Sequence, residues 1–258
     1  MALEVVDFLQ GSFSLLFVLI SLILGFTILS KVFKYKSKLY ILIGLSWIGV
    51  ANPWFPDSIS FIMNITINQS LPVELYFIIG NAFIPLALLC WLTAYTNMIS
   101  KKRKRLMIGS TLILSIVFEV AFFYLLITDI DLIGTINPAR PFTVDFDIFI
   151  TVYLLIVIVV MFLTGIKFAQ RSVKSDDKDI RLKGKLLRAA FITFTVAAIL
   201  DSLLGAIFAD PTDPVLSIMV VATRILLIIA AFEFYGGFIL PKWMHALFRG
   251  SYLYGYIP

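Results

Sequence analysis

Apolar residues along the chain gather into seven runs, each long enough to cross a bilayer. Each run predicts an α-helix, because a segment in lipid must satisfy its backbone hydrogen bonds internally. The runs are too continuous for a transmembrane barrel, whose strands alternate polar and apolar residues. The predicted helices cover residues 8–30, 39–54, 71–99, 106–128, 148–166, 186–209 and 215–240.

Prolines interrupt the second and third runs. Pro53 and Pro56 break the second run, so residues 58–67 either extend it beyond a kink or lie along the membrane surface. Pro85 lies in the middle of the third run, a few residues after Asn81. Proline frees a backbone carbonyl that then needs a polar partner, so irregular helices are predicted here and Asn81 is a candidate binding residue.

Charged residues are divided unequally between the two sets of loops. Nineteen of the 21 basic residues follow the first, third, fifth and seventh runs, whereas ten of the sixteen acidic residues lie on the other side, with Arg140. Lys and Arg stay on the cytoplasmic side of a membrane, which predicts an outside N-terminus and a cytoplasmic C-terminus. The acidic leader is unlike the basic start of a signal peptide, so the first run is predicted to be a retained helix.

Composition places the chain in the same class. It has 258 residues, of which 60% are hydrophobic and 14% charged, with a mean hydropathy of +1.00. Soluble domains are about a quarter charged. We therefore expect an all-α, polytopic protein of the cell membrane. Residues 1–241 would form a seven-helix transmembrane bundle surrounded by the lipid bilayer, and residues 242–258 a short cytoplasmic juxtamembrane tail.

Four charged residues lie well inside the predicted spans, away from their ends, where such residues are rare and usually face the bundle interior or water. Asp201 lies eight residues before the end of the sixth run, and Arg224 lies at nearly the same depth in the seventh. Glu119, in the fourth run, shares that depth. We predict an Asp201–Arg224 ion pair with Glu119 as a third member, whereas Glu233 lies half a turn away from Arg224 around the helix.

This predicted cluster has two interpretations. It is either a buried ion pair that determines which helices touch, or part of a ligand pocket or proton-sensitive switch reached from outside. In the second interpretation the candidate residues are Asp201, Arg224, Glu119 and Asn81. Both interpretations require Arg224 to lie close to Asp201.

Two loop features point to modification or partners. Asn64 and Asn68 each begin an N-glycosylation sequon, in a loop that the charge distribution places outside. On the cytoplasmic side, the basic run from Lys101 to Arg105 and the loop from Ser172 to Arg188 either contact anionic lipids or a cytoplasmic signalling partner, or only fix the topology.

Several chemistries lack the residues that they need. All thirteen lysines lie in loops or at the ends of runs, which disfavours retinal binding. The single histidine, His245, is in the tail and the single cysteine, Cys90, is in the third run, so clustered metal or haem ligands are not expected. P-loop, GxSxG and HExxH motifs are missing. We expect no enzyme activity, no cofactor, no metal site and no nucleic-acid partner.

The seventh run ends in Phe-Glu-Phe-Tyr-Gly-Gly-Phe-Ile-Leu-Pro-Lys-Trp, residues 232–243. This stretch, together with seven spans and an outside N-terminus, resembles the seven-helix sensor modules that precede signalling domains in some microbial histidine kinases. The similarity in span count covers the whole chain, and the similarity in residues covers only this stretch. Those modules feed a cytosolic effector, so the resemblance implies that a separate partner carries the output here.

Four functions compete on these grounds. A receptor-like sensor, which passes an external or intramembrane signal to a separate cytoplasmic partner, is favoured by the seven helices, the buried charges and the basic inner loops. A small-solute or ion transporter or channel is the alternative, because of the same charges and the kinked second and third spans. An assembly subunit without a site of its own ranks third, and a membrane-embedded enzyme ranks last.

Overall fold

The computed structural model describes residues 3, 5–136, 142, 144–208 and 213–249. Arg140, the basic residue expected outside, and residues 250–258 of the expected tail lie outside the described residues. In the described part the chain folds into helices and one short hairpin. The helices are α1 (Val5–Tyr35), α2 (Leu39–Val50), α3 (Phe55–Ile67), α4 (Val73–Asn81), α5 (Ile84–Met98), α6 (Lys104–Thr128), α7 (Ile148–Val173), α8 (Lys178–Ile207), α9 (Pro214–Phe238) and α10 (Lys242–Arg249).

Among the described residues, seven helical segments are long and apolar enough to cross a membrane, which confirms the predicted seven-helix bundle. Five of them are the single helices α1, α6, α7, α8 and α9. The second span is α2 followed by α3, and the third is α4 followed by α5. The helix of the sixth span, α8, begins at Lys178 and not at the predicted residue 186, because Asp177 caps it. The Asp177 Oδ1 accepts hydrogen bonds from the backbone N–H groups of Asp179 and Ile180, at 2.7 and 3.1 Å.

The second span continues across a kink. A 3-10 turn at Asn52–Trp54 separates α2 from α3, and Pro53 and Pro56 lie at the starts of the turn and of α3. The Asn52 side-chain amide donates to the Ile79 carbonyl oxygen at 3.1 Å, so a polar side chain joins the two irregular spans. Of the two arrangements considered for residues 58–67, the structure has the kinked extension and not the surface segment.

The centre of the bundle is formed by α8, which packs between α7 and α9, and by α1, which contacts α2, α3 and α9. The helix α6 is peripheral: it packs mainly against α5, and only 22% of its most apolar part is buried. Aromatic side chains fill much of the interior, with Trp47 4.2 Å from Phe234 between ring centroids.

One short antiparallel hairpin accompanies the helices of the predicted all-α fold. Strands β1 (Gly134–Ile136) and β2 (Val144–Phe146) pair with Gly134 opposite Phe146. The hairpin lies over the bundle, since β2 contacts both α7 and α8. Nearby, the Gln10 side chain of α1 donates to the Phe142 carbonyl oxygen at 2.6 Å. The hairpin therefore covers part of one end of the bundle.

A glycine at the α7–α8 contact gives a direct test of this packing. A Cβ at Gly184 would lie 2.5 Å from the Val173 backbone nitrogen and 2.7 Å from the Ser172 carbonyl carbon, so the helices would have to separate. We expect Gly184→Ala to lower the free energy of unfolding by about 1–3 kcal/mol, the usual result of overpacking. Thermal unfolding of the purified protein in detergent measures this.

Gly109 of α6 provides the matched control. No atom lies within 4 Å of a Cβ built there. We expect Gly109→Ala to leave stability unchanged or to raise it by up to about 1 kcal/mol, because Ala has the higher helix propensity. Equal melting temperatures for the two variants would contradict the close α7–α8 contact.

Candidate functional site

The expected ion pair between Asp201 of α8 and Arg224 of α9 is present in the structure, with Arg224 Nη1 bound to Asp201 Oδ1. A second carboxylate binds the same guanidinium, because Arg224 Nη2 lies 3.1 Å from Oδ2 of Asp57 on α3. Arg224 Nε donates to the Ser14 hydroxyl of α1 at 2.9 Å. The guanidinium thus connects four spans, and we call Arg224, Asp57 and Asp201 the Arg224 cluster.

Neutral hydrogen-bond donors complete the environment of the two carboxylates. Tyr76 of α4 donates its hydroxyl to Asp57 Oδ1, and Ser14 donates to Asp57 Oδ2 at 3.3 Å. Trp54, in the turn between α2 and α3, donates its indole N–H to Asp201 Oδ2 at 3.0 Å. With these contacts the network reaches five of the seven spans. Buried polar groups need such partners, and a network this connected holds its members in fixed geometry.

The charges of the Arg224 cluster do not balance. Two carboxylates face one guanidinium, which leaves one formal negative charge when both acids are ionised. The side chains of Arg224 and Asp57 are 5% exposed, whereas that of Asp201 is 20% exposed. Asp201 is therefore the member of the cluster that an incoming molecule can reach.

Glu119 was predicted as the third member of the cluster, and the structure shows that this was wrong: Asp57 has that position. Glu119 lies on the peripheral helix α6. Its neighbourhood is the contact between α6 and α7, where Phe118 stacks on Tyr153 with ring centroids 3.6 Å apart. The predicted depth did not bring Glu119 to Arg224, because α6 packs mainly against α5 rather than against α8 or α9.

Asn81 is not brought to the cluster either. It ends α4 and is buried, and its Nδ2 donates to the Phe77 carbonyl oxygen at 3.0 Å. It does not line the cavity described below. Its place at the break between α4 and α5 agrees with the irregular helix predicted around Pro85. The structure thus gives Asn81 a position in the helix kink.

A cavity of about 280 Å3 lies beside the Arg224 cluster. Asp57, Asp201 and Arg224 all contribute to one part of its wall. Most of the remaining wall is apolar and comes from α5, α7 and α8. Its apolar residues include Leu88, Leu154, Ile158, Met161 and Phe194. An apolar cavity with a few convergent polar groups is the usual form of a small-molecule site.

The hairpin forms the rim of this cavity. Val144, Asp145 and Phe146 of β2 line it, together with Phe142. Asp145 is exposed and adds a third carboxylate on this side. A molecule entering past the hairpin would therefore meet negative charge before it reaches the Arg224 cluster.

The two sequon asparagines lie at the end of α3. Asn64 is 9% exposed and its Nδ2, the atom that would carry a glycan, donates to the Ser70 hydroxyl at 2.7 Å. Asn68 follows the last residue of α3 in a left-handed conformation, with a φ of 55°, and is exposed. Glycan attachment stays a prediction, and Asn68 is the more accessible of the two.

In the part of the chain that the structure describes, no three His, Cys, Asp or Glu side chains are grouped so that they could hold a metal ion. No family model, curated protein or solved structure matches the chain. The resemblance to histidine-kinase sensor modules therefore stays a prediction.

Proposed function

We propose that this membrane protein is a receptor-like sensor: a small molecule binds in the cavity beside the Arg224 cluster and changes the position of the helices that face a cytoplasmic partner. The observation that supports this is the placement of the cluster in the cavity wall, shared between α8 and α9. A ligand at Asp201 would act directly on the contact between these two helices.

In the proposed orientation the N-terminus and the hairpin lie outside the cell membrane. The charge distribution supports this, since the loops on the hairpin side are acidic and those on the opposite side are basic. The cavity would then be reached from outside. The basic loops and α10 would face the cytoplasm.

The helices α8 and α9 also carry the contacts that hold α10. Met244 of α10 is buried against Gly236 of α9, where a Cβ would overlap its sulfur, and Leu186 of α8 lies beside them. His245 Nε2 is 3.0 Å from Asp179 Oδ1 at the start of α8. A shift between α8 and α9 at the cluster would therefore be transmitted to α10.

The chain turns sharply before α10. Leu240 has a positive φ of 49°, and Pro241 follows it, so the helix α9 cannot continue. Trp243 and Leu247 of α10 are exposed. We propose that α10, with the basic run at Lys101 to Arg105 and the loop from Ser172 to Arg188, forms the surface for the signalling partner. Arg171, which precedes this loop, donates from its Nη1 to the Met98 carbonyl oxygen at 3.1 Å, so the loop and the basic run begin close together.

A fluorophore on α10 tests the sensor function. The protein has a single, buried cysteine, so Cys90→Ala combined with Trp243→Cys allows labelling at an exposed position of α10. In nanodiscs, we expect a cavity ligand to change the accessibility of this label to a water-soluble quencher. The change should saturate together with binding.

The control label is placed at Phe33→Cys, an exposed position at the same side of the bundle on α1. It should not respond, because α1 is not one of the two helices that carry α10. A ligand that binds saturably and leaves the α10 label unchanged would contradict the sensor function.

Transport is the second candidate function. It is favoured by the two breaks in the second and third spans, because Pro53, Trp54 and Ile84 at those breaks line the cavity. Broken helices beside buried charges are typical of secondary transporters. This alternative expects solute or proton flux across the membrane, which a sensor does not produce.

A further inference from the structure

We propose that the cavity is selective for an amphiphilic amine, a molecule with a compact apolar body and one cationic nitrogen that binds Asp201. This inference rests on the proposed ligand-binding function and adds the chemical class of the ligand. Charge, access and the shape of the wall each support it.

The cavity wall has more acidic than basic side chains. Asp57, Asp145 and Asp201 line it, and Arg224 is the single cation among its lining residues in the described part of the chain. Charges removed from water are costly unless they are compensated. A ligand that adds one positive charge reduces the imbalance, whereas an anionic ligand increases it.

The exposure and the existing hydrogen bonds of the three charged side chains of the cluster determine which one the ligand contacts. Arg224 directs its N–H groups to Ser14, Asp57 and Asp201, and its side chain is 5% exposed, so it is a poor receptor for an anion. Both oxygens of Asp57 accept hydrogen bonds, and this side chain is equally buried. Asp201 is the more exposed acid, and its Oδ2 accepts one hydrogen bond in the described network, from Trp54.

A carboxylate oxygen has room for a second donor, so Asp201 Oδ2 can accept an ammonium N–H without losing Trp54. The Trp54 ring lies next to this oxygen through its N–H donor, and it packs against Phe194 with ring centroids 6.1 Å apart; both residues line the cavity. An ammonium group is attracted to the faces of such rings. The nitrogen is thus placed at Asp201, next to the Trp54 ring.

The rest of the cavity fits an apolar body. The side chains of Leu88, Leu154 and Met161 offer no charge, and the volume of about 280 Å3 is at the small end for ligand sites. A single aromatic ring with a short alkyl chain is of suitable size. At the rim, the exposed Asp145 would attract cations towards the entrance.

Three probes with one carbon skeleton test this selectivity: phenylbutylamine, phenylbutanol and phenylbutyrate. Binding to the full chain in nanodiscs is measured by equilibrium dialysis, with empty nanodiscs subtracted to remove partitioning into lipid. We expect the amine to bind about tenfold or more tightly than the alcohol, a ratio that one charge contact readily supplies. The carboxylate should bind more weakly than the alcohol.

Two variants test which residues cause the preference for the amine. Asp201→Asn keeps a polar group of similar shape, and the preference for the amine over the alcohol should fall to less than about threefold when the charge contact is lost. Asp145→Asn changes an exposed rim residue outside the Arg224 cluster, so it should fold normally and lower amine affinity about two- to threefold, as expected for a peripheral charge.

Equal binding of amine and alcohol, tighter binding of the carboxylate, or no saturable binding of the amine would overturn the proposed ligand class. The α10 label separates this result from failure of the sensor function. If the alcohol binds as tightly as the amine and still changes the accessibility of the label, the amine selectivity is refuted and the sensor function is retained. If the amine binds selectively and the accessibility of the label does not change, the ligand class is supported and the sensor function is refuted.

Discussion

Arg224→Met is expected to lower the free energy of unfolding by about 3–5 kcal/mol, the usual effect of removing one partner from a buried ion pair. The substitution leaves the carboxylates of Asp57 and Asp201 close together in the bundle without their shared cation. It also removes the donor to the Ser14 hydroxyl. Unfolding of the purified protein in detergent, followed by helical circular dichroism, measures the change.

Neutralising the acids should restore part of this loss. In the Arg224→Met background, Asp57→Asn and Asp201→Asn together remove the uncompensated charge, so the combined variant should be more stable than Arg224→Met alone. The control is Arg105→Met at an exposed position, expected to change stability by less than about 0.5 kcal/mol. If the combined variant were no more stable than Arg224→Met, the ion-pair account would be wrong.

Trp54→Ala is expected to have the second large effect, a loss of about 3–5 kcal/mol, as for other large aromatic residues removed from a core. The ring packs edge-on against Phe17 at 5.0 Å and near Phe194 at 6.1 Å between centroids. Its indole N–H also satisfies Asp201 Oδ2. Removing the ring therefore loosens the kink between α2 and α3 and leaves the partly buried Asp201 Oδ2 without this donor.

Trp54→Phe separates these two contributions. It keeps most of the ring packing and deletes the hydrogen bond, so the expected loss is about 1–3 kcal/mol. Trp243→Ala is the matched control, because this indole is 56% exposed on α10, and it should change the melting temperature little. Equal melting temperatures for Trp54→Ala and Trp243→Ala would contradict the buried position of Trp54.

The spans and the Asp201–Arg224 pair could be predicted from the sequence for clear physical reasons. Continuous apolar runs must form helices in lipid, and this holds for each of the seven spans. The pair follows from depth, because a short connection joins the two helices and places both residues at nearly the same height. Neither prediction depends on which side of a helix faces the bundle.

The other partners of Arg224 could not be predicted in this way. A helix in lipid is apolar on its outer face as well as its inner face, so its periodicity does not reveal the side that packs. Glu119 therefore matched in depth but lies on a peripheral helix. Asp57 is one of the ten acidic residues that the charge distribution assigns to the outer side, because the sequence does not decide whether the chain after Pro56 returns into the bundle.

Flux through the protein in liposomes distinguishes a sensor from a transporter. Purified protein is reconstituted, and proton flux and phenylbutylamine flux are measured beside protein-free liposomes and beside Asp201→Asn. A sensor whose cavity ends at the Arg224 cluster predicts no flux above the protein-free level, together with ligand-dependent change at α10. Flux through the native protein that Asp201→Asn abolishes would contradict the account and identify the cluster as part of a transport pathway.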